Sequence, residues 1–382
     1  MLRNKMLLIL PIIVLVVIFV FALTLIPAVN PTPKNLPIAI VNEDPVMGKM
    51  IVDNIRLMSS PTTGEEPAVQ WIEVESYEAV QAGLDNQEYY AALVIPSDYS
   101  AKQASLLTSD PTSPEIEIII NQGMNAMAAN VASQMLNGIV DNINNGIRAQ
   151  LVEGFDKQGG VLTTKQATAL VSPITKKITN VNEIGTHSAN GNSPVILFQP
   201  IWMASIIGAA ALFSMRKEYI FSNKREKFFT LLVETFVGIV LALIVGFGLT
   251  WISSSLLGLN IPRFTDTALF LSVTYLCFFL MILATISWLG LKGGLSIYLI
   301  IMFFGAPLLS MPPEFVSSFY QDWIYTWLPI MCMVDGLREL FFFGTGLSWN
   351  HPTYALVGIG FASLLILYAS IYKPASRQKL KF

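Results

Sequence analysis

The sequence predicts a polytopic α-helical membrane protein with six transmembrane helices, both termini on the inner side, and an extracytoplasmic α/β domain between helices 1 and 2. Three observations predict it. Of the 382 residues, 53% are hydrophobic and only 13% are charged, whereas about a quarter of an average soluble protein is charged. The apolar excess collects at the N-terminus and in the last half of the chain. Lys and Arg are divided unevenly between the loops on the two sides.

The first apolar run, Leu7–Ile26, carries no charge, and about twenty such residues span a bilayer. The basic Met-Leu-Arg-Asn-Lys before it resembles the start of a signal peptide. The run is longer than the roughly 7–15 residues of a signal core, however, and no A-x-A site follows. Residues 1–27 therefore read as a retained anchor. Five further spans are expected at Pro194–Met215, Phe228–Ile252, Thr267–Leu289, Leu295–Met311 and Tyr354–Tyr372, with Pro307 interrupting the short fifth span of the chain. These make 194–382 a five-helix membrane domain.

Orientation follows from loop Lys and Arg. With the N-terminus inside, the inner pieces hold 12 basic residues, the outer segment 28–193 holds 9 basic and 18 acidic, and the short outer loops add only Arg263 and Arg338. The outer domain's acidity argues against nucleic acid or anionic lipid as its ligand. It has no cysteine and no N-x-S/T site, which points to a bacterial, Gram-positive cell membrane.

Within 28–193, short apolar runs (Ile38–Val41, Val69–Val74, Tyr90–Ile95, Ile116–Ile120) alternate with helical patterns (Val46–Met58, Tyr77–Asp85, Ser97–Leu107, Met124–Phe155). That order predicts βαβ units and a partly parallel sheet. In the long helix, Met124, Met127, Val131, Met135, Ile139, Ile143, Ile147 and Leu151 form one apolar stripe. Two readings stand for it: packing on the sheet or a twin helix, or a Met-lined surface for an apolar cargo. One more helix is expected at Thr164–Ile178. The stretch Val41–Lys49, "VNEDPVMGK", has a single glycine and two carboxylates, a poor phosphate cradle. It reads as a helix entry with Asp44 as cap and Pro45 at the first position.

Four stretches carry a resemblance: "IAIVNED" (38–44), "YYAALVIPSDYS" (89–100), "INQGMNAMAANVASQML" (120–136) and "LPIMCMVDGLRELFFFGTG" (328–346). Together they resemble the phage infection protein family, whose C-terminal bundle is related to the ABC transporter type-2 permeases. The resemblance covers nearly the whole chain, although the outer domain lacks the long coiled insertions of larger members. It implies a permease subunit of an ATP-driven exporter that moves a hydrophobic or amphiphilic cargo outward. The partner would be a separate ATP-binding subunit, and a homodimer or a heterodimer with a second permease would form the pathway. The rival reading is a non-transporting surface receptor or scaffold, or an accessory of a secretion system.

The residues are consistent with a permease and offer no catalytic centre. No G-x-x-x-x-G-K-[ST], H-E-x-x-H, G-x-S-x-G or Cys/His cluster occurs, so no enzyme and no cofactor are expected. In the inner segment 216–229, Arg216, Lys217, Lys224, Arg225 and Lys227 stand beside Tyr219 and Phe221. This mixture suggests an interfacial amphipathic helix bound to membrane lipids, and the resemblance makes it the ATPase docking loop. Glu234 sits about 10 Å into a span at 1.5 Å per residue, an intramembrane polar site that could snorkel or pair with Lys292. Residues 312–352 read as a re-entrant or surface-lying helical pair at the outer face in which Asp335 and Arg338 can pair on one helical face, next to Glu339.

Overall fold

In the computed structural model, Leu15 and residues 32–373 are described, except 60–65, 158, 160, 220, 326 and 327. Apart from Leu15, the expected anchor Leu7–Ile26 lies outside the described residues. The described residues divide into two compact units: one contains residues 32–184 with 311–318, the other 185–310 with 319–373.

The first unit is a five-stranded sheet in the order β2-β1-β3-β4-β5. Its strands are β1 (Leu36–Asn42), β2 (Val69–Val74), β3 (Ala91–Ile95), β4 (Glu115–Asn121) and β5 (Thr175–Val181). β1 runs parallel to β2 and β3, β4 is antiparallel to β3, and β5 is parallel to β4. β3 is buried along its whole length, Ala-Ala-Leu-Val-Ile, as a strand covered on both faces must be. The edge strands mix polar and apolar residues, and Lys176 and Lys177 on β5 blunt that edge against further pairing.

Helices α1 (Gly48–Met58), α3 (Tyr99–Ser105) and α4 (Ala126–Lys157) cover one face, and α2 (Tyr77–Asp85) covers the other. α2 starts where the Ser76 side chain accepts the Ala79 N–H. On α4 the buried line is Ala128, Ala132, Leu136, Val140, Ile147 and Leu151. The expected Met124, Met127, Val131 and Met135 flank it, half-buried against the sheet core. Small alanines at the contact line bring the helix close, so the larger side chains reach around it. The expected helix Thr164–Ile178 is corrected: α5 (Thr164–Val171) opens on a Thr163–Gln166 capping box and gives way to β5. Pro173 withholds a backbone donor there, and the β-branched residues that follow pair with β4.

Residues 311–318 return to this unit. The Lys34 N–H donates to the Glu314 carbonyl (2.9 Å), Tyr90 Oη donates to the Glu314 carboxylate (3.0 Å), and Phe315 is buried in the sheet core.

Among the described residues of the second unit, four stretches are long and apolar enough to cross a membrane: Ser193–Lys217, Lys224–Leu256, Phe264–Leu308 and His351–Tyr372. They contain α6 (Phe198–Lys217), α7 (Lys224–Trp251), α8 (Phe264–Gly305) and α10 (His351–Ala369). The fourth and fifth expected spans are the two arms of α8. Gly290 breaks it with φ 79° and ψ 167°, a region open essentially to glycine alone. Beyond the break the chain folds back. Tyr298 Oη donates to the Met281 carbonyl at 2.9 Å, and a Cβ on Gly294 would lie 2.9 Å from the Ile286 Cα. In a straight helix, residues 281 and 298 would stand about 25 Å apart.

The first arm of α8 is the centre of the bundle, with α6, α7 and α10 packed around it. At Gly246 of α7 an added Cβ would lie 2.5 Å from the Ala268 carbonyl, so the two backbones touch, as small residues allow in membranes. A Cβ added at Gly208 of α6 would meet Tyr275 Oη at 2.4 Å, while one at Gly358 of α10 would meet nothing within 4 Å. α9 (Pro329–Phe342) follows at 14 residues, shorter than the roughly 17 needed to span.

Candidate functional site

In open α/β sheets, ligands commonly bind beyond the carboxyl ends of the strands where the strand order reverses. Here that point lies between β1 and β3, and the chain's own Asp44 closes it. One carboxylate oxygen accepts the N–H groups of Val46 (2.9 Å), Met47 (2.7 Å) and Gly48 (3.2 Å) and the Ser100 hydroxyl (2.6 Å). The other accepts the Ser100 N–H at 2.8 Å. Burial pushes the carboxyl's pKa up, but these donors, Ser100 first, outweigh it and hold Asp44 well below the usual carboxylate range. The expectation of Asp44 as N-cap and Pro45 at the first position is corrected: the N-cap is Met47 and the helix starts at Gly48, three residues beyond Pro45, while Asp44 holds the turn that leads into it.

The basic segment contains no interfacial helix among the described residues. α6 runs to Lys217 and α7 starts at Lys224, with a turn between them. Asn223 caps α7 by accepting the Glu226 N–H at 2.9 Å, and Glu226 accepts the Ser222 N–H at 2.8 Å. Glu226 also offsets the unfavourable placement of Lys224, Arg225 and Lys227 at the positive end of a helix.

The seven loop residues separate by direction. Lys217, Tyr219, Lys224 and Arg225 are exposed, with Tyr219 70% accessible, and Phe221 is half-buried. Lys224 lies over the Tyr372 ring at 4.5 Å and Arg225 over Phe229 at 5.7 Å. Lys227 turns to the end of α10 and donates to the Ser370 carbonyl at 2.6 Å. Arg216 turns inward and is buried.

Arg216 is the partner of Glu234, in place of Lys292, which is exposed. Its guanidinium bonds Glu234 Oε2 at 2.8 Å and Ser287 Oγ at 2.5 Å. Glu234 Oε1 is buried with no partner among the described residues. The cluster joins α6, α7 and the first arm of α8. Beside it, Lys373 donates to the carbonyls of Trp288 (2.6 Å) and Ser287 (3.3 Å), which lose their helical partners at the Gly290 break. Sequence spacing gave no hint of the Arg216, Ser287 and Lys373 roles, because their partners lie on other helices.

At the far end of α8, Asp335 and Arg338 pair at 3.2 Å, and Arg338 also donates to the Leu309 carbonyl at 3.4 Å. Glu339 accepts from the Asn350 side chain, and Asn350 in turn caps α10 through the Thr353 N–H. Asp335, Arg338 and Glu339 thus fasten α9 to its neighbours.

Long apolar helices joined by a basic loop, with a buried ion pair between them, point to a multi-pass membrane protein. The family model for the ABC-2 family transporter protein matches residues 5–371, and the chain belongs to that family. Its members are membrane components of ABC transporters and normally work with an ATP-binding subunit. No curated protein and no solved structure matches the chain.

Proposed function

We propose that this chain is the permease subunit of an exporter that moves a hydrophobic or amphiphilic cargo outward across the cell membrane. A separate ATPase docks on the turn between α6 and α7, and two permease chains form the pathway. One observation carries this reading. The exposed Lys217, Tyr219, Lys224 and Arg225 adjoin Arg216, whose inward contact with Glu234 and Ser287 links the docking surface to three helices. The narrower kinship with phage infection proteins is part of the same proposal.

Six crossings with the α/β unit outside also fit the chain's path. Residues 311–318 share a unit with 32–184, so the chain between them must cross an even number of times. α6, α7 and the two arms of α8 supply four crossings. The ends carrying Lys227, Lys373 and Trp288 meet at one pole of the bundle, where the positive-inside rule places the cytoplasm.

Interfaces take most of their energy from a few anchors, often aromatic residues and Arg. The test is a Tyr219→Ala/Arg225→Ala variant. It is expected to insert in normal amount, to lose ATPase co-purification about tenfold, and to lose ATP-dependent amphiphile transport in vesicles. A variant that inserts, keeps the ATPase and transports normally removes this loop from the mechanism.

A further inference from the structure

Shortly before α9, two short helical turns, Ser318–Tyr320 and Gln321–Tyr325, follow one another directly. Helical spacing sorts their residues. Phe319, Tyr320, Trp323 and Ile324 fall on one side, and Gln321, Asp322 and Tyr325 on the other. On the apolar side Phe319 is 60% and Trp323 69% accessible, one turn apart, while Tyr320 and Ile324 are half-buried. Two large aromatic side chains laid open together mark a contact surface, for protein or for lipid.

The position of the segment selects lipid. Its polar side is fastened to the end of the long hairpin: Tyr325 Oη donates to the Leu308 carbonyl at 2.8 Å. From Gly290 to Leu308 the second arm rises about 27 Å, close to the roughly 30 Å of a hydrocarbon core. Leu308 therefore stands at the edge of that core. Lys227 and Lys373 mark the opposite pole, where α7 begins and α10 ends. The far ends of α7 and α10 lie on the Leu308 side, and they carry exposed Trp251 and Tyr354, with Trp349 exposed just before α10. Trp and Tyr collect at membrane–water boundaries, where an apolar ring with one polar tip is at home on both sides. Asp322 is the only charged residue in 318–325, so anionic headgroups do not attract the segment and apolar contact must hold it.

We propose that 318–325 is an interfacial anchor: Phe319 and Trp323 enter the headgroup–acyl boundary of the bilayer, while Asp322 stays in water. Through Tyr325 the anchor holds the end of the second arm of α8 at a fixed depth. Which leaflet is entered rests on the crossings proposed above; entry into lipid does not.

The test uses the full chain with Cys277→Ser/Cys332→Ser in phosphatidylcholine nanodiscs. A nitroxide is attached in turn to Phe319→Cys, Trp323→Cys and Asp322→Cys. Power saturation then compares its collisions with oxygen, which concentrates in lipid, and with a nickel chelate, which stays in water. Labels at 319 and 323 should favour oxygen, at a depth of about 5–10 Å, and the label at 322 should favour the chelate. The nitroxide is the same at each position, so its own hydrophobicity cannot produce that contrast. Labels at 319 and 323 that favour the chelate would place the aromatic side in water. Poor collision with both reagents would show a protein cover, and spin–spin broadening a second copy of the chain. Each of these overturns the proposal. As a measurement free of any label, Trp323→Phe should remove part of the tryptophan emission quenched by lipids brominated high on the acyl chain, and an unchanged quenched fraction overturns it as well. Labelling of Asn223 from outside would move the anchor to the other leaflet and leave these collision ratios as they are.

Discussion

Glu234 lies between apolar turns of α7, and its charge is tolerable there because Arg216, at the end of the preceding helix, reaches it at 2.8 Å. Side-chain exposures of 8% for Arg216 and 6% for Glu234 mean that water offsets little of the desolvation. Such pairs add little net stability, yet removing one partner strands the other charge at about 3–5 kcal/mol. Glu234→Leu or Arg216→Met alone should therefore lower the denaturation midpoint in micelles strongly. The double variant should recover most of that loss, and additive losses in this cycle would show that the two side chains do not act as a pair. Ser287 adds directionality: it accepts from Arg216 while donating to the Leu283 carbonyl at 2.6 Å. That bond fixes the guanidinium between two helices.

At the scale of elements, the reversal at Gly290 decides whether 264–305 is one long helix or two. The sequence already divides it into two expected spans, Thr267–Leu289 and Leu295–Met311, on the cue of Lys292 and three glycines. The backbone at Gly290 settles the turn, and Lys373 caps the carbonyls it exposes. Gly290→Ala should cost about 1–3 kcal/mol or more, since a Cβ is poorly tolerated in that region. Gly293→Ala, whose methyl would meet only the Leu289 Cβ at 3.6 Å, should be close to neutral. Thermal unfolding in detergent checks both, and equal behaviour would remove the strained turn from the account. α4 carries a related lesson. Its large apolar residues stood out in the sequence, but the contact with the sheet runs along Ala128 and Ala132, because close packing of a long helix needs small side chains.

For the whole molecule, the decisive prediction concerns sides. In a Cys277→Ser/Cys332→Ser background, cysteines at Ser113, Thr168 and Trp349 should react with an impermeant maleimide on intact cells. One at Asn223 should react only after the membrane is opened. Labelling of Asn223 from outside would invert the orientation, and protection of Trp349 would break the even count of crossings. The return of Glu314 and Phe315 to the sheet core places 311–318 in the α/β unit, and α9, at 14 residues, is shorter than the roughly 17 needed to span.

The amino-acid sequence by itself determined the class of the molecule, the place of the long apolar helices and four of the five strands. Those features depend on local composition and on periods of two and 3.6 residues, which are read along a single segment. It also located Glu234 and the basic loop, since depth and charge can be counted. The tertiary structure decided what these residues do. It turned Arg216 inward and left Tyr219 outward, gave Asp44 its Ser100 donors, fixed the reversal between the two arms of α8 at Gly290 and placed β5 beside β4. Each of these rests on a partner far along the chain, and pairing across space leaves no period in the sequence.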